Sequence, residues 1–478
     1  MSNSKSILKN TAIFGSVKFI SLVIGLVRTK LAAVLLGTQG VGFFGLIAAT
    51  IELIIGIFNA GIPTSMVKYL SVSTDEDLPK KFYIARKITL GLAILGLLFC
   101  FIFAEKLSDF TFGTNDFRWA FQLLSIAVFT RILLIAFNSY LQSRIYLKTL
   151  ANAAIVGNIL GIFCTIPLYY FFRIDGVVYN IVAIALIDIL VIYIAFRKIK
   201  QPVKKVSHQE FSQDSKNILT ESFYYSFAGI LAVLSAYIVQ IYIRKSGDLD
   251  ELGLFVTGNT IINQYVAIVF MSMSYDYFPR ISKAAKDIVQ LNKEVNQQLK
   301  IGLIVLFPIL LWLLLLCDWV VRLLFSKDFL GSVSYVEFAI LGVFFKMISW
   351  ILAYTLIAKS QKKIFVINEF IFTVLYIGIH LYGFQNNQIT GLGIAYSVYF
   401  FLYLLAIFFI CKYKTKVEMN SQNFKISVLF SFLILFSIII KIFVTNPIAV
   451  NVLLGILTIF ASIWSLRQIV NIYAIKNH

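Results

Sequence analysis

The sequence predicts an all-α polytopic membrane protein with about fourteen transmembrane helices and no soluble domain. Three observations carry the prediction: an extreme apolar composition, apolar runs of bilayer length along the whole chain, and a one-sided distribution of lysine and arginine. Of 478 residues, 59% are hydrophobic and 14% charged, with a mean hydropathy of +0.87. A soluble domain carries about 25% charge. This chain lacks the polar residues to wet the surface of one folded core, and lipid is the solvent that fits it.

The apolar runs fall at residues 8–35, 41–68, 86–104, 119–142, 150–172, 176–196, 218–243, 252–279, 301–323, 335–358, 364–383, 391–411, 426–444 and 447–466. Each matches the roughly 17–25 residues, more when tilted, that cross a bilayer core. Lys5 and Lys9 ahead of an apolar stretch resemble a secretory leader. Lys18, Arg28 and Lys30 interrupt that stretch and no small-residue cleavage site follows, so it reads as a retained first helix.

With the N-terminus placed in the cytoplasm, 29 of the 42 Lys and Arg residues fall in cytoplasmic segments, 7 on the opposite side and 6 inside spans. That asymmetry predicts an even number of spans with both termini cytoplasmic. It also accounts for the net charge of +19, which leaves no basic domain for nucleic acid. Cys100, Cys164, Cys317 and Cys411 lie singly in apolar runs without CxxC spacing and read as packing residues. No metal site is expected. His208 sits in a polar linker, and His380 is expected at an interface.

The chain repeats itself. A slide of 211 residues lays Leu252, Gly253, Leu254 and Phe255 on Val41, Gly42, Phe43 and Phe44. A slide of 215 lays Lys346 on Arg131, Lys359 on Arg144 and Lys363 on Lys148. Equal orientation of six plus six spans predicts two pseudo-symmetric parallel lobes around a central cavity. The expected organisation is an N-terminal lobe 1–196, a cytoplasmic linker 197–217, a C-terminal lobe 218–411 and two extra helices in 412–478. Residues 280–300 are expected to form an interfacial helix.

A charge near mid-bilayer costs roughly 2.5–3.5 kcal/mol on insertion scales, so it should face a cavity or a partner. Polar and small residues at helical spacing form stripes on six spans. They include Lys18 and Arg28 in the first span and Glu52 and Asn59 in the second. Arg131 lies in the fourth, Glu221 in the seventh, Asn263 in the eighth and Lys346 in the tenth. The small residues suit close helix packing as well as a cavity wall. Arg28, Arg131 and Lys346 point to a hydrated cavity that selects an anion, with salt bridges to Glu52 and Glu221 as the competing explanation. Lys18 is open between cavity and snorkelling, and Lys30 and Lys441 read as snorkelling or structural. A carboxylate among these cations can gate the cavity or titrate, so coupling to a proton or sodium gradient is an open expectation. No cofactor is expected. The chain contains no Gly-Lys dipeptide, hence no Walker A loop, and neither HExxH nor GxSxG.

Several segments resemble a known family: RTKLAAVLLG at 28–37, GVG at 40–42, NAGI at 59–62, VKYLS at 67–71, YFPRIS at 277–282 and AKS at 358–360. The chain is similar over about residues 5–411 to the Wzx-type polysaccharide flippases, the O-antigen and lipid III translocases. These belong to the multidrug/oligosaccharidyl-lipid/polysaccharide (MOP) exporter superfamily. The resemblance implies two six-helix lobes and alternating access. It implies translocation of an undecaprenyl-diphosphate-linked oligosaccharide from the cytoplasmic to the outer leaflet of a bacterial inner membrane. Polysaccharide polymerases and glycosyltransferases are the implied partners. The stretch 28–37 is also similar to the lipid II flippase branch, which implies diphosphate contact for Arg28. Other cavity arginines of that branch have no matching cation here, and the two extra helices depart from the twelve spans of many Wzx-type relatives. Two other readings stand beside it. A multidrug exporter of the same superfamily would favour an acidic cavity, and a membrane glycosyltransferase or polymerase would need a sizeable catalytic loop.

Overall fold

The computed structural model describes the backbone of residues 2–59, 61–199 and 204–476. Side chains are described there except at 2–22, 147, 221, 223–228, 265, 267–268, 271–272, 274–276, 362 and 472–476. Lys18 and Glu221 therefore lie outside the described residues. All regular structure among the described residues is helical. The chain divides into two compact units, Met1–Gly253 and Leu254–His478.

The first unit contains α1 (Ser2–Asn59), α2 (Ile62–Ser71), α3 (Leu78–Ile102), α4 (Ala104–Phe112), α5 (Arg118–Ser143), α6 (Leu147–Phe172), α7 (Gly176–Arg197) and α8 (His208–Ser246). α3 and α7 pack on α5, α6 packs on α1 and α7, and α8 packs on α1 and α2. α9 (Leu249–Thr260) begins in this unit. A π-helical turn, Ile261–Tyr265, joins it to α10 (Ala267–Ala284) in the second unit. Then come α11 (Ile288–Leu324), α12 (Val333–Ala358), α13 (Lys362–Ile410), α14 (Ser421–Phe443) and α15 (Pro447–Lys476).

Ten helices among the described residues are long and apolar enough to cross a membrane. Two of them hold two expected spans each. α1 breaks at Gly37, whose φ of 68° lies in the left-handed region where a side chain would be strained. α13 breaks at Asn387 and Gln388. Gly383 and Gly391 approach so closely across that break that neither has room for a Cβ. Eight residues of continuous helix would hold them about 12 Å apart, so α13 is a helical hairpin. With α8 and the α9–α10 pair, these elements cover the fourteen expected apolar runs.

Four local expectations need correction. Residues 208–217 are not linker but the start of α8, because Ser207 accepts a hydrogen bond from the Glu210 amide at 3.2 Å and caps the helix. The helix expected to open the second lobe is grouped with the first unit, where it packs on α1 and α2. Residues 288–300 form no separate interfacial helix. Asp287 caps α11, which runs unbroken to Leu324. His380 is not interfacial but fully buried in α13, stacked on Tyr376 with ring centroids 3.8 Å apart.

The repeat with a slide of 215 is visible in the backbone. α5 and α12 each have 26 residues, with Arg131 and Lys346 at the fourteenth position. Both helices close on the same turn. Ile145 and Ser360 take positive φ of 59° and 57°. The Tyr146 amide donates to the Leu141 carbonyl, as the Gln361 amide does to that of Leu356, each at 2.8 Å. This 6→1 bond with a left-handed residue is the Schellman way of satisfying the last carbonyls of a helix.

The extra helices are fastened within the second unit by polar contacts. Asn292 and Asn296, one turn apart on α11, bond the backbone of Lys416, Glu418 and Asn420 just ahead of α14. Lys441 of α14 pairs with Glu337 at 2.7 Å and Asp318 at 3.2 Å. Ser465 of α15 donates to the Ile304 carbonyl at 2.7 Å. Lys441 is thus structural, and its partner carboxylates drew no notice in the sequence.

Candidate functional site

Two polar clusters sit inside otherwise apolar helices, one in each unit. In the first, α6 carries a glycine notch. A Cβ on Gly161 would lie 2.5 Å from Nη2 of Arg28, and a Cβ on Gly157 would lie 2.8 Å from Oδ1 of Asp188. The two glycines are one turn apart on the same face. They admit the Arg28 guanidinium from α1 and the Asp188 carboxylate from α7 against the α6 backbone. Arg28 Nη2 donates to the Asn158 carbonyl at 3.3 Å, while its buried Nε has no hydrogen-bond partner among the described residues.

Arg131 on α5 donates through Nη1 to Glu52 Oε1 of α1 at 2.9 Å. Their side chains are 34% and 56% exposed, so this pair is open on one side and exchangeable. Asp188 interacts electrostatically with both Arg131 and Arg28. The first cluster therefore balances two cations with two carboxylates. Asn59, two turns beyond Glu52 at the end of α1, is half-buried and has no hydrogen bond to this cluster among the described residues.

In the second unit, Lys346 Nζ donates to Asn263 Oδ1 at 2.7 Å and lies 3.4 Å from the Tyr396 hydroxyl. Tyr396 also donates to Asn263 Oδ1 at 2.9 Å, and Asn263 donates to Asn259 at 2.6 Å. The ammonium sits 5.2 Å from the Phe400 ring centroid, within cation–π range. No carboxylate pairs with Lys346 among the described residues. Asn263 belongs to the π-helical turn, an insertion that re-aims side chains and recurs at functional sites. Neutral dipoles and ring faces hold this charge without cancelling it.

The structure thus groups Arg28 near Asp188, Arg131 with Glu52, and Lys346 with Asn263. Sequence reasoning missed Asp188, Tyr396 and Phe400. For Asp188 a signal existed: it is a lone carboxylate in an apolar span, a functional hypothesis by default. Tyr396 and Phe400 resemble every other aromatic in a chain with 24 Tyr and 45 Phe.

Comparison with known proteins bears on the family and the fold. The chain is 24% identical over 370 residues to the lipid III flippase of Escherichia coli (strain K12), covering 74% of this chain and 86% of that protein. The lipid III flippase of Shigella flexneri matches equally. Among solved structures, the lipid II flippase MurJ in an inward-closed conformation superposes with a TM-score of 0.69 at 18% identity, over 96% of this chain and all of that one. An inward-facing multidrug resistance MATE family transporter of the MOP superfamily reaches 0.69 at 13% identity, over 85% of this chain and 98% of its own. The fold is that of these transporters. Residues 7–285, more than half of the chain, match the family described as polysaccharide biosynthesis protein, and the protein belongs to that family.

Proposed function

We propose that the protein is a flippase. It carries a polyprenyl-diphosphate-linked oligosaccharide from the cytoplasmic to the outer leaflet of a bacterial inner membrane by alternating access. The similarity to lipid III flippases supports the substrate class. The observation that carries the reading is Lys346, a cation held inside apolar helices by neutral partners and so kept for an anion. Arg28 and Arg131 take the anion-contact role in the first unit. A diphosphate displaces Glu52 from Arg131 because it offers the same bidentate acceptor geometry with more charge.

Flipping moves a lipid without making or breaking a bond, and the relatives are flippases and transporters. A cationic-drug exporter is the weaker reading, since an unneutralised lysine repels such a cargo. The reading assigns the driving force to a proton or sodium gradient, with Glu52 and Asp188 as the titrating or gating carboxylates. Both termini are cytoplasmic in this reading. A polymerase and glycosyltransferases handle the glycan on either side of the step.

The test is complementation of a flippase-deficient strain, read as surface glycan and normalised to protein in the membrane. Arg131→Ala and Lys346→Ala each lower the signal, and the double variant loses it. Full activity of the double variant at normal abundance overturns the assignment.

A further inference from the structure

We infer that the lipid-facing side of the first unit carries a binding site for an anionic phospholipid of the cytoplasmic leaflet, headed by Arg86 and Lys87. α3 and α7 both pack on α5 and leave a cleft of about 700 Å3 over it. Leu133 and Phe137 of α5 line it, with Leu90 of α3 and Leu190 of α7 on its sides. α3 leads away from the basic segment 68–87, while α5 and α7 return toward the basic segments 144–148 and 197–216. Arg86, Lys87 and Tyr193 therefore share the end that the charge distribution places at the cytoplasm. Leu90 and Leu133 lie deeper.

The two cations are what set this cleft apart from ordinary lipid-facing surface. Two nearby cations are neutralised: Lys80 pairs with Glu210 at 3.7 Å and Arg144 with Asp75 at 3.5 Å. Arg86 and Lys87 are exposed and have no carboxylate within ion-pair distance among the described residues. They rest instead on rings, Arg86 5.9 Å from the Phe137 centroid and Lys87 5.8 Å from that of Tyr83. Aromatic side chains settle at headgroup depth, and basic side chains there attract the anionic inner leaflet. A phosphate head over an apolar slot matches this layout. A free phosphate would leave the slot empty, and an apolar partner helix would leave both cations without a counter-charge.

Native mass spectrometry of the purified protein, titrated separately with phosphatidylglycerol and phosphatidylethanolamine, tests the assignment. The expected result is preferential retention of phosphatidylglycerol. Arg86→Ala with Lys87→Ala lowers it roughly 25-fold, at about fivefold per basic residue near the headgroups. Leu190→Trp, which fills the slot and keeps both charges, lowers it as well. Equal retention of the two lipids, or unchanged retention in both variants, overturns the proposal. So does displacement of phosphatidylglycerol by an equimolar polyprenyl phosphate, because the occupant would then be a carrier lipid. None of these outcomes depends on whether the protein flips a glycan.

Discussion

Arg131 and Lys346 occupy the same position of repeat-related helices, and their surroundings are chemically opposite. Arg131 in the first unit is met by Glu52 at 2.9 Å, in a cluster that also holds Arg28 and Asp188. Lys346 in the second unit is met by an amide oxygen, a phenol and two aromatic rings. Lys441, also in the second unit, has two carboxylates. The repeat conserves a cation at one depth of the helix, and each unit solves the cost of burying it differently. A charge cancelled by a carboxylate is committed to the fold, because removing either partner strands the other. A charge held only by dipoles remains available to a ligand, at the expense of stability.

The largest effect that separates these cases comes from the two lysines of the second unit. Lys346→Met removes the uncancelled charge and keeps the stem volume. Transport falls by roughly 100-fold, the upper range for a hydrogen bond to a charged group, while the melting temperature in detergent holds or rises. Lys441→Met strands Glu337 and Asp318 and destabilises the protein by about 3 kcal/mol, with transport per folded molecule unchanged. Complementation and a thermal melt on both variants check this. A stability loss in the Lys346 variant equal to that of Lys441 would make Lys346 a structural lysine.

The Arg131–Glu52 pair gives the next largest effect. If the pair were only a fastener, exchanging the two groups would keep function. If Arg131 must meet the substrate anion, Arg131→Glu with Glu52→Arg restores the ion pair and the melting temperature but leaves transport about tenfold down, one charge-assisted hydrogen bond misplaced. Transport at the native level in the exchanged variant would reduce the first cluster to packing.

How much of this was legible in the sequence follows from range. The spans, the repeat and the buried cations depend on local composition, and lipid imposes that composition on each segment separately. The breaks at Gly37 and Asn387 merged or divided spans without changing that pattern. The carboxylates escaped. Asp188, Asp318 and Glu337 stand alone in their spans, and what marks them is a partner on another helix, 123 residues away in the case of Asp318 and Lys441. The π-helical turn that aims Asn263 at Lys346 leaves no trace in residue type. Gly157 and Gly161 could be read as packing residues, and the structure gives them a sharper role as the seat of Arg28 and Asp188.

That role yields the smallest effect. Gly161→Ala places a methyl group 2.5 Å from Nη2 of Arg28, at the far end of a flexible side chain. The backbone need not move, and alanine favours the helix by about 1 kcal/mol over glycine. The melting temperature should therefore hold or rise slightly. The guanidinium must leave its seat on the Asn158 carbonyl by part of an ångström, which loosens one charge-assisted hydrogen bond and lowers transport about threefold. Gly25, in the same helix as Arg28, has nothing within 4 Å among the described residues and serves as the control, because Gly25→Ala adds a methyl group where none of them stands. If Gly161→Ala transports as well as Gly25→Ala, the notch seats Arg28 only incidentally. The first unit would then rely on Arg131 alone, as the second relies on Lys346.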